Sequence, residues 1–208
     1  MVLQGILRSF SRGISYLTHP LILPVCSVVF ISSLPGYLSA QVAPFRWMLV
    51  LLVFLFTVLI PVLLMGMLRS VGRISTLQME DRAERTIPYL LTGIVYYLAY
   101  RYFLRMGLPP VYALILLSAT ALVLVAMLIN LRWKVSLHMM GIGGALGLLH
   151  GLAPHFPGAM FLPTVVLVAI GGMLAFARLF LGSHRQGEVY GGFGVGYLLF
   201  LVIFSQLM

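Results

Sequence analysis

Phe45-Arg-Trp-Met-Leu-Val-Leu-Leu-Val-Phe-Leu-Phe-Thr-Val-Leu-Ile-Pro-Val-Leu-Leu-Met-Gly-Met-Leu68 contains a single charge, Arg46, at its start. About 20 consecutive apolar residues are what an α-helix needs to cross a hydrocarbon layer of about 30 Å, and this run exceeds that. Trp47 and Arg46 suit the boundary between water and lipid. The run does not alternate in polarity over stretches of about ten residues, which excludes a transmembrane β-barrel. The rest of the chain agrees. Of 208 residues, 62% are hydrophobic and 8% charged, whereas soluble domains carry about 25% charged residues. The chain therefore reads as an all-α polytopic transmembrane helical bundle, a single domain over residues 1–208.

Working outward towards the N-terminus, a first span is predicted from His19-Pro20 to about Ser39, with Pro24 and Pro35 inside it. Residues 1–19 place Leu3, Ile6, Leu7, Phe10, Ile14 and Leu17 at helical spacing, with Arg8, Ser9, Ser11 and Arg12 largely opposite. That is the pattern of an amphipathic interfacial helix. It lacks the uninterrupted apolar core and small-residue cleavage site of a signal peptide.

Towards the C-terminus, a polar loop runs from Arg69 to Pro88 and holds three of the four acids, Glu80, Asp81 and Glu84. Spans three and four are predicted over Ile87–Phe103 and Pro109–Leu131, joined by a tight turn at Gly107-Leu-Pro-Pro110. Arg132-Trp-Lys134 leads to Ser136-Leu137-His138, which opens a fifth span rich in glycine at 141, 143, 144 and 147. Small residues let helices approach closely, so this span is expected at the centre of the bundle. A sixth span ends near Phe180 and a seventh follows residues 182–188. The expectation is about six to seven spans plus the interfacial helix.

Seven spans put the N-terminus, the 69–88 loop, the 132–136 link and the 182–188 loop on one face. That face gathers ten of the thirteen Lys and Arg residues and all four acids. The net charge of +9 is scattered over loops and helix ends, with no soluble module to present it to nucleic acid. Anionic lipid head groups and phosphorylated substrates are the expected partners. The single cysteine, Cys26, forms no internal disulfide.

Arg178-x5-His184-x3-Glu188 sets a cation, an imidazole and a carboxylate that can orient it within one short segment, as covalent catalysis by an activated nucleophile requires. Each candidate also has a simpler role. Asp81 with Arg85 fits an i,i+4 ion pair on a solvated helix, beside Glu80 and Glu84. Ser136 fits a helix N-cap and His138 the turn it caps. Arg178 fits a side chain reaching for head groups. His19, His150 and His155 read as interfacial.

These residues resemble the three motifs of the type 2 phosphatidic acid phosphatase superfamily, related in fold to vanadium haloperoxidases. Arg178-x5-His184-x3-Glu188 is similar to the third, Ser-Arg-x5-His-x3-Asp, with Ala177 for Ser and Glu for Asp. Val135-Ser136-Leu137-His138 keeps the Ser and His of the second, Pro-Ser-Gly-His. Gln78-x6-Arg85-Thr-Ile-Pro88 is similar to the first, Lys-x6-Arg-Pro, with Gln for Lys and the proline displaced. The resemblance covers residues 78–196 and implies a cofactor- and metal-independent phosphatase of lipid or polyprenyl phosphates. His184 would attack phosphorus, Glu188 would orient it, and His138 would protonate the leaving oxygen and then activate water. Arg178, Arg85 and Ser136 would bind the phosphoryl oxygens, and Arg82 or Lys134 would replace the charge that Gln78 does not supply.

A lipid-binding or transport protein on a decayed phosphatase scaffold is the competing expectation, and an unrelated transporter or assembly subunit a third. Lys and Arg beside the first two spans favour a site facing the cytoplasm of a bacterial inner membrane. Bacterial members of the resembled family are expected to work on the outer face.

Overall fold

The computed structural model describes residues 2–76 and 83–207, and among them every regular element is helical. Four helical stretches are long and apolar enough to cross a membrane: Tyr37–Ser70, Pro110–Asn130, Phe161–Phe180 and Gln186–Leu207. The chain divides into two compact units, Pro24–Trp133 and a second made of Met1–Leu23 with Lys134–Met208.

In the Pro24–Trp133 unit, α2 (Leu23–Ile31) ends early. The single span predicted to Ser39 does not form, because Pro35 and Gly36 interrupt it. Gly36 takes φ 124°, a conformation that favours glycine. Helix resumes at Tyr37, so the run that reads as Phe45–Leu68 belongs to a stretch of 34 residues, Tyr37–Ser70. Its parts are α3 (Tyr37–Val42), α4 (Arg46–Phe54) and α5 (Ile60–Ser70), with a 3-10 turn at Ala43–Phe45 and a π turn at Leu55–Leu59. Leu51, Leu59, Val62 and Leu63 are exposed on it, a surface suited to lipid rather than water.

The π turn lies just ahead of Pro61, which has no N–H to give to the Thr57 carbonyl four residues back. The buried Tyr96 hydroxyl donates to that carbonyl at 3.0 Å. A neighbouring helix thus re-satisfies a backbone group that the proline orphans. Tyr96 belongs to α6 (Thr86–Arg105), which turns at Gly107 (φ 67°) into α7 (Pro110–Asn130). Both helices lie within two residues of the predicted bounds. They pack along their length, with Gly93 facing Leu124.

The other unit is built on α8 (Leu137–Leu152) and α10 (Gln186–Leu207), with α9 (Phe161–Phe180) connecting them. Gly143 meets the Phe193 backbone, Gly147 that of Tyr197 and Leu201, and Gly151 meets Phe204, so contacts advance in the same direction along both helices. The pair is parallel and both N-termini lie at one end. From the other side, Gly192 lies against the Ser136 carbonyl and Gly196 against that of Met140. Glycines four residues apart on each partner bring backbone onto backbone. Met139, Ile142, Leu174 and Val189 form a dry core between α8, α9 and α10.

The predicted amphipathic helix is α1 (Val2–Leu17), and it packs against α9. Its inward stripe is Ser11 and Ser15, continued by Thr18 just past its end, all buried, while Leu3, Ile6, Phe10 and Leu17 face outward. The Ser15 and Thr18 hydroxyls bond back to the carbonyls of Ser11 and Ile14 at 2.8 and 2.7 Å, so neither is left unsatisfied against α9.

Candidate functional site

Helix α9 ends in two bonds that reverse the chain. Gly182 N–H donates to the Leu179 carbonyl at 3.0 Å and Ser183 N–H to that of Arg178 at 3.2 Å. This is the Schellman arrangement, and it needs Gly182 in the left-handed region, where φ is +65°. The reversal sets His184 over the end of α9, just before α10 begins.

Glu188 is the third residue of α10 and reaches back to accept from the Arg185 N–H at 3.3 Å, which is half of a capping box. The same oxygen lies 2.8 Å from His184 Nδ1. Both side chains are buried, with relative exposures of 4% and 12%. A carboxylate only accepts, so Nδ1 carries the hydrogen and the neutral ring keeps its lone pair on Nε2. Burial pushes the His184 pKa down, the bond to Glu188 partly offsets this, and Arg178 lowers it further. An imidazole so held stays unprotonated with Nε2 available as a nucleophile.

The parallel α8 brings a second group of predicted residues to the same end. Ser136 N–H donates to the Glu188 carbonyl at 3.2 Å, tying the start of α8 to the first turn of α10. Ser136 is fully buried at the N-cap position, yet its hydroxyl makes no capping bond and has no hydrogen-bond partner. The capping role open to it in the sequence is not the one it plays.

His138, half-buried, holds its Nε2 3.1 Å from the Ser15 carbonyl. Its ring packs edge to face on His19, with centroids 5.3 Å apart. Arg178, in the last turn of α9, acts electrostatically on His19, His138 and His184, and Lys134 acts on His184. The structure thus brings together five of the six principal predicted residues, all but Arg85 of the polar loop: His184, Glu188, His138, Ser136 and Arg178, with Lys134 as a further cation.

The remaining predicted residues lie in the 69–88 loop. Gln78 and Arg82 fall outside the described residues, as do Glu80 and Asp81. Arg85 belongs to the Pro24–Trp133 unit, where it is buried at the end of a single 3-10 turn and hydrogen-bonds Tyr89 on α6. Glu84 accepts from the Ser75 N–H and hydroxyl, both at 3.1 Å, and so closes the loop on itself. His150, at the other end of α8, bonds the Tyr197 hydroxyl at 2.9 Å.

Sequence reasoning set His19 aside as interfacial and gave no role to Ser15. Ser15 lies 123 residues from His138 in the chain, beyond the reach of any spacing rule. The usable signal was Ser11, Ser15 and Thr18 at i, i+4 and i+7. Small hydroxyl residues on one stripe mark a helix face that meets protein rather than lipid. No family model, no curated protein and no solved structure matches this chain.

Proposed function

We propose that the chain is a membrane phosphatase that hydrolyses a phosphate monoester or diphosphate of a lipid or polyprenyl substrate through a phosphohistidine at His184. The observation that carries this reading is the buried His184–Glu188 pair, whose Nδ1 is held by the carboxylate and whose Nε2 is left as the attacking atom. Arg178 and Lys134 supply positive charge for the phosphoryl oxygens. The unpartnered Ser136 hydroxyl and the first-turn N–H groups of α8 and α10, which have no acceptor within their own helix, add donors suited to an anion. In this reading six to seven segments cross the bilayer and the site opens on the cytoplasmic side of a bacterial inner membrane.

One observation favours the alternative, a non-catalytic lipid-binding protein on the same scaffold. The Ser15 carbonyl already occupies His138 Nε2, leaving only Nδ1 for proton transfer. Trapping decides between the two. Purified protein mixed with isotope-labelled phosphatidic acid, or with a polyprenyl diphosphate, and quenched in alkali should retain acid-labile label. The label should be absent from His184→Ala. Wild-type protein that neither releases phosphate nor traps label would overturn the proposal in favour of lipid binding.

A further inference from the structure

We infer that His19 is a positioning residue of this site, holding the His138 ring so that Nδ1 is the nitrogen through which a proton passes; the inference rests on the phosphatase reading above. A neutral imidazole offers one N–H and one lone pair. The Ser15 carbonyl accepts from His138 Nε2, so Nδ1 carries the lone pair, and in the protonated ring Nδ1–H is the hydrogen not already engaged. His19 packs edge to face on this ring at an interplanar angle of 80°, which opposes rotation about the bond to Ser15.

His19 is itself held. The Leu21 N–H donates to its Nδ1 at 3.3 Å, and Pro20 restricts the backbone conformation of the residue before it. Pro20 and Leu23 press onto α8 at Gly141, where an added Cβ would lie 3.4 Å from Pro20 Cβ and 2.5 Å from Leu23 Cδ1. Gly141 is three residues beyond His138 on the same helix face. The link after α1 is therefore locked to α8 next to the ring it would position.

The chemistry then balances. As His184 Nε2 bonds to phosphorus, the phosphorus–oxygen bond of the ester breaks, and the His138 Nδ1 proton passes to the departing oxygen. In the second half, water attacks phosphorus, the phosphorus–nitrogen bond breaks, and the proton from water returns to His138 Nδ1. Loss of His19 therefore costs most where the leaving oxygen needs a proton, and little where it leaves as a stable phenolate.

The test compares purified wild type, His19→Ala and His19→Asn on an alkyl phosphate lipid and on p-nitrophenyl phosphate, with phosphoenzyme formation followed on both. Asn keeps an acceptor for the Leu21 N–H, so it separates loss of the ring from collapse of the turn. Both variants should lower kcat on the alkyl substrate about tenfold, with KM within about twofold, but slow phosphoenzyme formation from the aryl substrate less than about threefold. Equal losses on the two substrates, or none on either, would overturn the inference while a trapped phosphohistidine upholds the phosphatase. Wild type that traps no phosphohistidine would remove both.

Discussion

Gly196 of α10 lies against the backbone carbonyl of Met140 on α8, where a Cβ would overlap that oxygen. The obstacle is helix backbone, so it has no rotamer to escape into. Gly196→Ala should force the helices apart at a cost of about 1–3 kcal/mol or more, and lower the midpoint of thermal unfolding in detergent. Gly194→Ala, two residues away, has nothing within 4 Å. It should be neutral or stabilising by up to about 1 kcal/mol through helix propensity. Equal unfolding midpoints for the two variants would contradict the close packing.

Glu188→Gln keeps an oxygen for the Arg185 N–H and for His184 Nδ1 but removes the charge that supports a developing imidazolium. It should leave the unfolding midpoint near that of wild type and lower kcat at least about 100-fold. Differential scanning in detergent measures the first effect, and stopped assays of inorganic phosphate release the second.

The pH dependence follows from the sign of the His184 shift. Burial holds its folded pKa below the usual 6.5, so the unfolded chain binds the proton more readily. Stability from this group is fully present above about pH 6.5 and is lost as pH falls towards the folded value. The acid limb of kcat/KM that reports this nucleophile should lie below pH 6.5. In Glu188→Gln it should move lower still, because the partner that raises the pKa has gone. A limb at or above pH 6.5 in wild type would show that His184 is not buried as described.

In the proposed phosphatase Arg178 is the planar, multidentate donor to the phosphoryl oxygens, and lysine offers only a point charge there. Arg178→Lys should lower kcat/KM at least about tenfold, about 1.4 kcal/mol of transition-state stabilisation. Wild-type kinetics in this variant would remove Arg178 from phosphate binding.

Sidedness is open to direct measurement. With Cys26→Ser as background, Ser75→Cys and Ser183→Cys should resist a membrane-impermeant thiol reagent in intact cells and react after permeabilisation. Labelling of intact cells would move the site to the outer face.

How far the sequence foretold these features depends on the range of the forces involved. Helices α6 and α7 were legible almost to the residue, because long apolar runs bounded by Gly107 and Pro109-Pro110 are local signals. The span predicted from His19-Pro20 to about Ser39 is broken where Pro35 and Gly36 together interrupt a run that hydropathy alone would carry through. The glycines of α8 announced a close approach but not to which helix, since close packing is a property of pairs. His184 and Glu188 were legible because four residues is one helical turn. His19 was not, because what places it beside His138 is the packing of Pro20 and Leu23 onto Gly141.

The parallel course of α8 and α10 bears on how the protein is made. Neighbouring helices in a chain pair antiparallel through a short turn, as α6 and α7 do, and such hairpins can enter the bilayer together. Helix α8 has its closest partner beyond α9, so during synthesis its glycine face stays uncovered until α9 has been made and α10 started. The candidate site is therefore a late product of biogenesis, assembled only after α8, α9 and the start of α10 have all been made.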